Sequence, residues 1–135
     1  MGEFTFYDYL DADGDGTNVI KDWLNGNGKP GKAYFNRIIN YLEGSPPAGS
    51  RDSVWHHPYT WPLKGKWKGF FEIRKETKNV QYRLIGKIEG RCVFLVATGF
   101  HQGTWETDVS PETGKERSAQ MKNNPAKYRR EHDNS

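Results

Sequence analysis

Phe4 and Phe6 alternate with Thr5 and Tyr7, a period of two that predicts an opening strand, and the Asp/Gly cluster from Asp11 to Gly16 ends it. Ile20, Trp23 and Leu24 then fall on one face of a short helix that Thr17 or Asn18 can cap and that Gly26 and Gly28 close. Phe35, Ile38, Ile39 and Leu42 keep the spacing i, i+3, i+4, i+7, which predicts a longer helix from near Pro30 to Gly44. Between 45 and 62 the prolines and glycines are too dense for a regular element, so a long loop is expected. Alternation returns at Phe71 and Ile73, and again at Tyr82, Leu84 and Ile88, while the run from Arg91 to Thr98 is apolar on both faces. Three successive antiparallel strands follow from this, the last one covered. Ser110, Pro111 and Glu112 open a third helix, with a hydroxyl at the cap, proline in the first turn and an acid at the positive end of the dipole. From Lys127 to Ser135 the chain is polar and is expected to be a flexible tail.

The pattern describes one α+β domain over residues 1–135, and the length suits a single core. Charge adds a location rather than a class. The 20 basic and 17 acidic residues leave a net of only +3, but residues 1–60 carry −3, residues 61–91 carry +6 and residues 92–135 are neutral. The positive charge therefore gathers on the predicted sheet. Cys92, the one cysteine, borders the apolar run and excludes an internal disulfide, which fits a reducing, cytoplasmic setting. No apolar stretch approaches the roughly 18 residues that span a bilayer, and the first residues lack the blocks of a signal peptide, so no membrane partner is expected.

Strand parity places Arg74 opposite to Phe71 and Ile73, and Arg83 opposite to Tyr82 and Leu84, so both arginines are predicted on one exposed sheet surface. Lys64, Lys66, Lys68, Lys75 and Lys78 surround these strands as candidate phosphate contacts, and Trp67 offers a ring for an unstacked base of single-stranded RNA. Trp23, Trp55, Trp61 and Trp105 are read as packing residues. Asp11, Asp13, Asp15, Gly16 and Asp22 imitate the spacing of a calcium loop. Asn18 at the usually apolar position, aspartate in place of the closing glutamate, and a strand before the loop argue for a plain turn instead. No metal or other cofactor is expected.

The order of elements, the opening Phe6-Tyr7-Asp8-Tyr9-Leu10-Asp11 with Asn18 to Leu24, the stretch Leu63 to Arg74, Tyr82-Arg83-Leu84-Ile85-Gly86, and Gly99-Phe100-His101-Gln102 together resemble the RelE/ParE superfamily, in particular its phage-derived HigB-like branch. The resemblance implies a RelE-like layout: an N-terminal strand, two helices, a three-stranded antiparallel meander completing a twisted sheet, and a C-terminal helix. It also implies a type II toxin that cuts messenger RNA on the ribosome and is silenced by a cognate antitoxin. In such cleavage the ribose 2′-OH attacks the adjacent phosphate. Arg74 and Arg83 are assigned to the phosphoryl charge, His101, on a short polar loop, to proton transfer, and His57 is the second acid or base candidate. Glu72 stands where family nucleases often carry lysine; it repels phosphate or serves as a base. The alternative is a ParE-like toxin that binds a protein such as DNA gyrase and cuts nothing.

Overall fold

The computed structural model describes residues 3–102 and 104–134. Strand β1 (Thr5–Tyr9) leads into helices α1 (Val19–Gly26) and α2 (Gly28–Glu43). A two-residue strand β2 (Trp61–Pro62) and a 3-10 turn (Gly65–Trp67) precede β3 (Phe71–Thr77), β4 (Val80–Glu89) and β5 (Cys92–Gln102). Strand β6 (Thr104–Thr107), helices α3 (Pro111–Asn123) and α4 (Pro125–Tyr128), and strand β7 (Arg129–Glu131) complete the chain.

The RelE-like layout expected from the resemblance is corrected. The α+β mixture stands, but among the described residues the sheet is mixed and seven-stranded, in the order β2-β3-β4-β5-β1-β7 with β6 also on β5, and there are four α-helices. β1 runs parallel to β5, so the two helices between β1 and β3 carry the chain across one sheet face. The tail from Lys127 is also corrected. β7 pairs with β1 opposite Tyr7 to Tyr9, and the His132 side chain is buried behind it.

Each face has its own core. Phe71, Ile73, Leu84, Val93 and Leu95 meet Ile20, Leu24, Phe35, Ile39 and Leu42 of α1 and α2. Val96, Ala97, Ile85 and Phe94 meet Trp67, Phe70 and Met121 on the α3 side. The second core explains Gly114, where a Cβ would overlap the Trp67 indole. The loop from 45 to 60 is pinned by Trp55, whose ring packs on Phe4, Phe6 and Phe71.

A bulge decides where the site forms. Ile85 pairs with Ala97 but Gly86 pairs with Leu95, so Val96 is an extra residue in β5. Leu95 faces the α1–α2 side, whereas Val96 and Ala97 both face the α3 side. From Ala97 onward the parity is inverted, which carries His101 to the face of Arg83.

Candidate functional site

Arg74 and Arg83 are direct cross-strand partners on β3 and β4, so their side chains leave the sheet on the same face. The hairpin that joins them turns at Lys78 and Asn79, both at positive φ, 49° and 68°. Two like charges at facing positions repel, and the fold answers with Glu72, two residues before Arg74 on the same face. Its carboxylate is 0% exposed and accepts from Arg74 Nε at 2.5 Å and Arg83 Nη1 at 3.0 Å. The cluster of Glu72, Arg74 and Arg83 keeps one net positive charge.

Arg83 also donates through Nη2 to Gln81 Oε1 at 2.6 Å, and the same nitrogen stands 3.5 Å from His101 Nδ1. A guanidinium only donates, so Nδ1 is the accepting nitrogen in this contact. Gln81 and His101 face each other across β4 and β5, two positions along from the Arg83–Gly99 pair. Burial pulls the Arg83 guanidinium below its ordinary pKa, with Arg74 pulling the same way and Glu72 opposing; at neutral pH the group remains charged. Arg74 is 27% exposed and Arg83 13%, so Arg74 presents the more accessible cation.

Trp61, opposite Glu72 in the β2–β3 ladder, lays its indole against Arg74, with Cζ 4.0 Å from the ring centroid. His57 stacks on the far side of the indole at 3.6 Å. Guanidinium, indole and imidazole thus form one ladder at the edge of the sheet.

The structure brings together Arg74, Arg83 and His101, with His57 linked to them through Trp61. His101 lies within strand β5, not on the expected loop. Glu72 is fully covered and holds the two guanidiniums. Lys75 points to the opposite face, where its Nζ donates to Thr77 Oγ1 at 2.5 Å and lies 6.0 Å from the Tyr34 ring. Lys64, Lys66 and Lys68 are exposed around the 3-10 turn, and Lys78 is exposed at the hairpin turn. Trp67, 8% exposed and packed between Phe70 and α3, is a core residue and not a base platform. Sequence reading missed Trp61 and Gln81. Gln81 had a usable signal, the same strand parity as Arg83, whereas the two-residue strand of Trp61 has no period to read.

The acidic loop is a turn. Asp13 accepts from Tyr128 Oη at 2.8 Å and pairs with Lys127 at 3.1 Å, and Asp15 accepts from Thr17. Among the described residues no group of histidine, cysteine and carboxylate side chains is arranged to hold a metal ion. No helix of the described residues is long and apolar enough to cross a membrane. Comparison of the chain with protein-family profiles, characterised proteins and solved structures finds no match.

Proposed function

We propose that this chain is the toxin of a type II toxin–antitoxin pair, a cytoplasmic, ribosome-associated endonuclease that cuts messenger RNA. The observation that supports this most is the cross-strand pair Arg74 and Arg83 on one sheet face with His101 3.5 Å from Arg83. It gives a scissile phosphate two fixed cations and a titratable imidazole. The resemblance of the segment from Leu63 to Gln102 to RelE/ParE toxins of the HigB-like branch points the same way.

In this reading the 2′-OH of the nucleotide before the cut attacks its own phosphate. The 2′ proton is taken up, the bond to the 5′ oxygen of the next nucleotide breaks, and that oxygen gains a proton. The products are a 2′,3′-cyclic phosphate and a 5′-hydroxyl. Arg74 and Arg83 stabilise the charge that builds on the phosphoryl oxygens, which depends on their being held in place before substrate arrives. Glu72 supplies that preorganisation, and His101 takes the proton-transfer role. Lys64, Lys66 and Lys68 extend the positive surface along the strand to more distant phosphates.

Expression without an antitoxin is expected to arrest growth and to yield transcripts with new 5′-hydroxyl ends, and His101→Ala is expected to relieve both while the protein stays folded. One observation favours the second reading, a ParE-like binder of a protein such as DNA gyrase: both terminal nitrogens of Arg83 are already engaged by Glu72 and Gln81. Growth arrest with intact transcripts and a supercoiling defect would select that reading over the nuclease.

A further inference from the structure

Trp61 and His57 belong to neither core, and the ladder is anchored at Arg74 by its ion pair with Glu72. Its members come from β3, from β2 and from the proline-rich loop. Arg74 and Trp61 are half-buried and His57 is exposed. Trp61 is occupied on both faces, by the Arg74 guanidinium at 4.0 Å and by the His57 ring at 3.6 Å. His57 is the outermost ring, and Trp61 is the ring it stacks on among the described residues.

We infer that this ladder is a nucleobase subsite, in which an unpaired base of a single-stranded RNA stacks on the outer face of His57 while the strand's phosphate is held at Arg74. The inference rests on the RNA reading above and adds the part of the substrate that the arginines do not address. Three features converge on a base rather than on another flat ligand. The ladder starts at a cation that suits a phosphodiester and ends two stacked rings farther out, so one ligand must offer an anion and a planar ring farther apart than they lie within one nucleotide. A single strand does, through the base of a neighbouring nucleotide. The platform stands at the sheet edge, where a duplex, with its bases already stacked, offers no free ring face. Stacking also accepts any base, which suits a site whose neighbouring side chains are a guanidinium and two rings rather than donors fixed on a base edge. Trp67, the ring the sequence singles out for this purpose, is sealed in the second core, so the platform lies about the arginines from the other side, on β2 and the loop before it.

The test uses the intact protein and a fluorescein-labelled single-stranded hexanucleotide with 2′-O-methyl riboses, which cannot be cut by the proposed reaction. An abasic position is walked along it and affinity is read by fluorescence anisotropy. Loss of the base at one position is expected to weaken binding roughly tenfold, the effect of one lost stacking contact, with little change at the distant positions. His57→Ala is expected to remove that position dependence and His57→Phe to retain it. Arg74→Ala is expected to weaken every oligonucleotide alike and to flatten the salt dependence. Binding of the hexanucleotide with a flat abasic walk in the unaltered protein would overturn the base subsite and leave the RNA reading standing. Absence of any binding would overturn the base subsite, and the RNA reading then stands or falls separately on cleavage of messenger RNA on the ribosome.

Discussion

Glu72 sits between two guanidiniums and out of reach of water, and its substitution separates structure from chemistry at the candidate site. Glu72→Gln removes the charge that lets Arg74 and Arg83 face one another, and is expected to lower unfolding free energy by about 3 kcal/mol, the low end for breaking a buried pair because Arg74 reaches solvent. Urea denaturation measures it, and a change under about 0.5 kcal/mol would mean the carboxylate does not hold the pair. A second buried polar cluster is structural. His132 places Nδ1 2.8 Å from Asp8 Oδ1 and Nε2 2.8 Å from Asn36 Oδ1, and Asn18 Nδ2 donates to the other Asp8 oxygen at 3.1 Å. Glu43, on the same side of α2, has its pKa raised by burial, which the charge of His132 and a hydrogen bond from Asn134 oppose. A carboxyl whose folded pKa lies above its unfolded value of about 4.5 adds stability fully below that value and loses it as pH rises through the folded pKa. Glu43→Gln is therefore expected to gain melting temperature relative to the unaltered protein as pH rises from acid toward neutral, with parallel pH profiles counting against this role.

The elements differ in how much of themselves they show in sequence. Helix α2 was legible because four apolar residues on one stripe, Phe35, Ile38, Ile39 and Leu42, are all buried by the sheet. β3 and β4 were legible by the same logic at period two, and with them the shared face of Arg74 and Arg83. β7 was not, since Arg129, Arg130 and Glu131 carry no apolar alternation; its place comes from backbone bonds to β1 and from one buried histidine behind it. The bulge at Val96 was equally hidden, because an apolar run on both faces reads the same with one residue more or less. Yet it is this extra residue that turns His101 toward Arg83. Two predictions belong here. His132→Ala is expected to raise hydrogen exchange at Asp8 and Leu10, whose side of β1 faces β7, and along β7 at least tenfold while leaving β3 and β4 protected, and uniform change across the sheet would contradict a local anchor. Gly114→Ala sets helix propensity, a gain of about 1 kcal/mol, against a methyl driven into the Trp67 ring. Overpacking of about 1–3 kcal/mol should win, and a variant more stable than the parent would show the α3 contact to be looser than described.

Across the whole molecule the two faces divide the work. α1, α2 and the loop carrying Trp55 cover one face, whereas α3 covers the other over Phe94, Val96 and Trp67 and does not extend over Arg74, the more exposed of the two arginines. The charge of the middle third is spread over both faces, since Lys75 goes with α2 and the arginines with the other side. Net charge by segment could not reveal that division, because it follows from strand parity one residue at a time. The layout expected from resemblance failed at this scale too: short strands at both edges and β6 beside β5 enlarge a sheet whose central strands alone carry a clear pattern. The reading as an RNA-cutting toxin is most directly tested by adding the purified protein to ribosomes stalled on a defined messenger RNA and mapping the ends formed. Cuts leaving a 2′,3′-cyclic phosphate and a 5′-hydroxyl, at least a hundredfold slower with His101→Ala or Arg74→Ala, are predicted. Intact messenger RNA with the unaltered protein, or equal cutting by both folded variants, would contradict it.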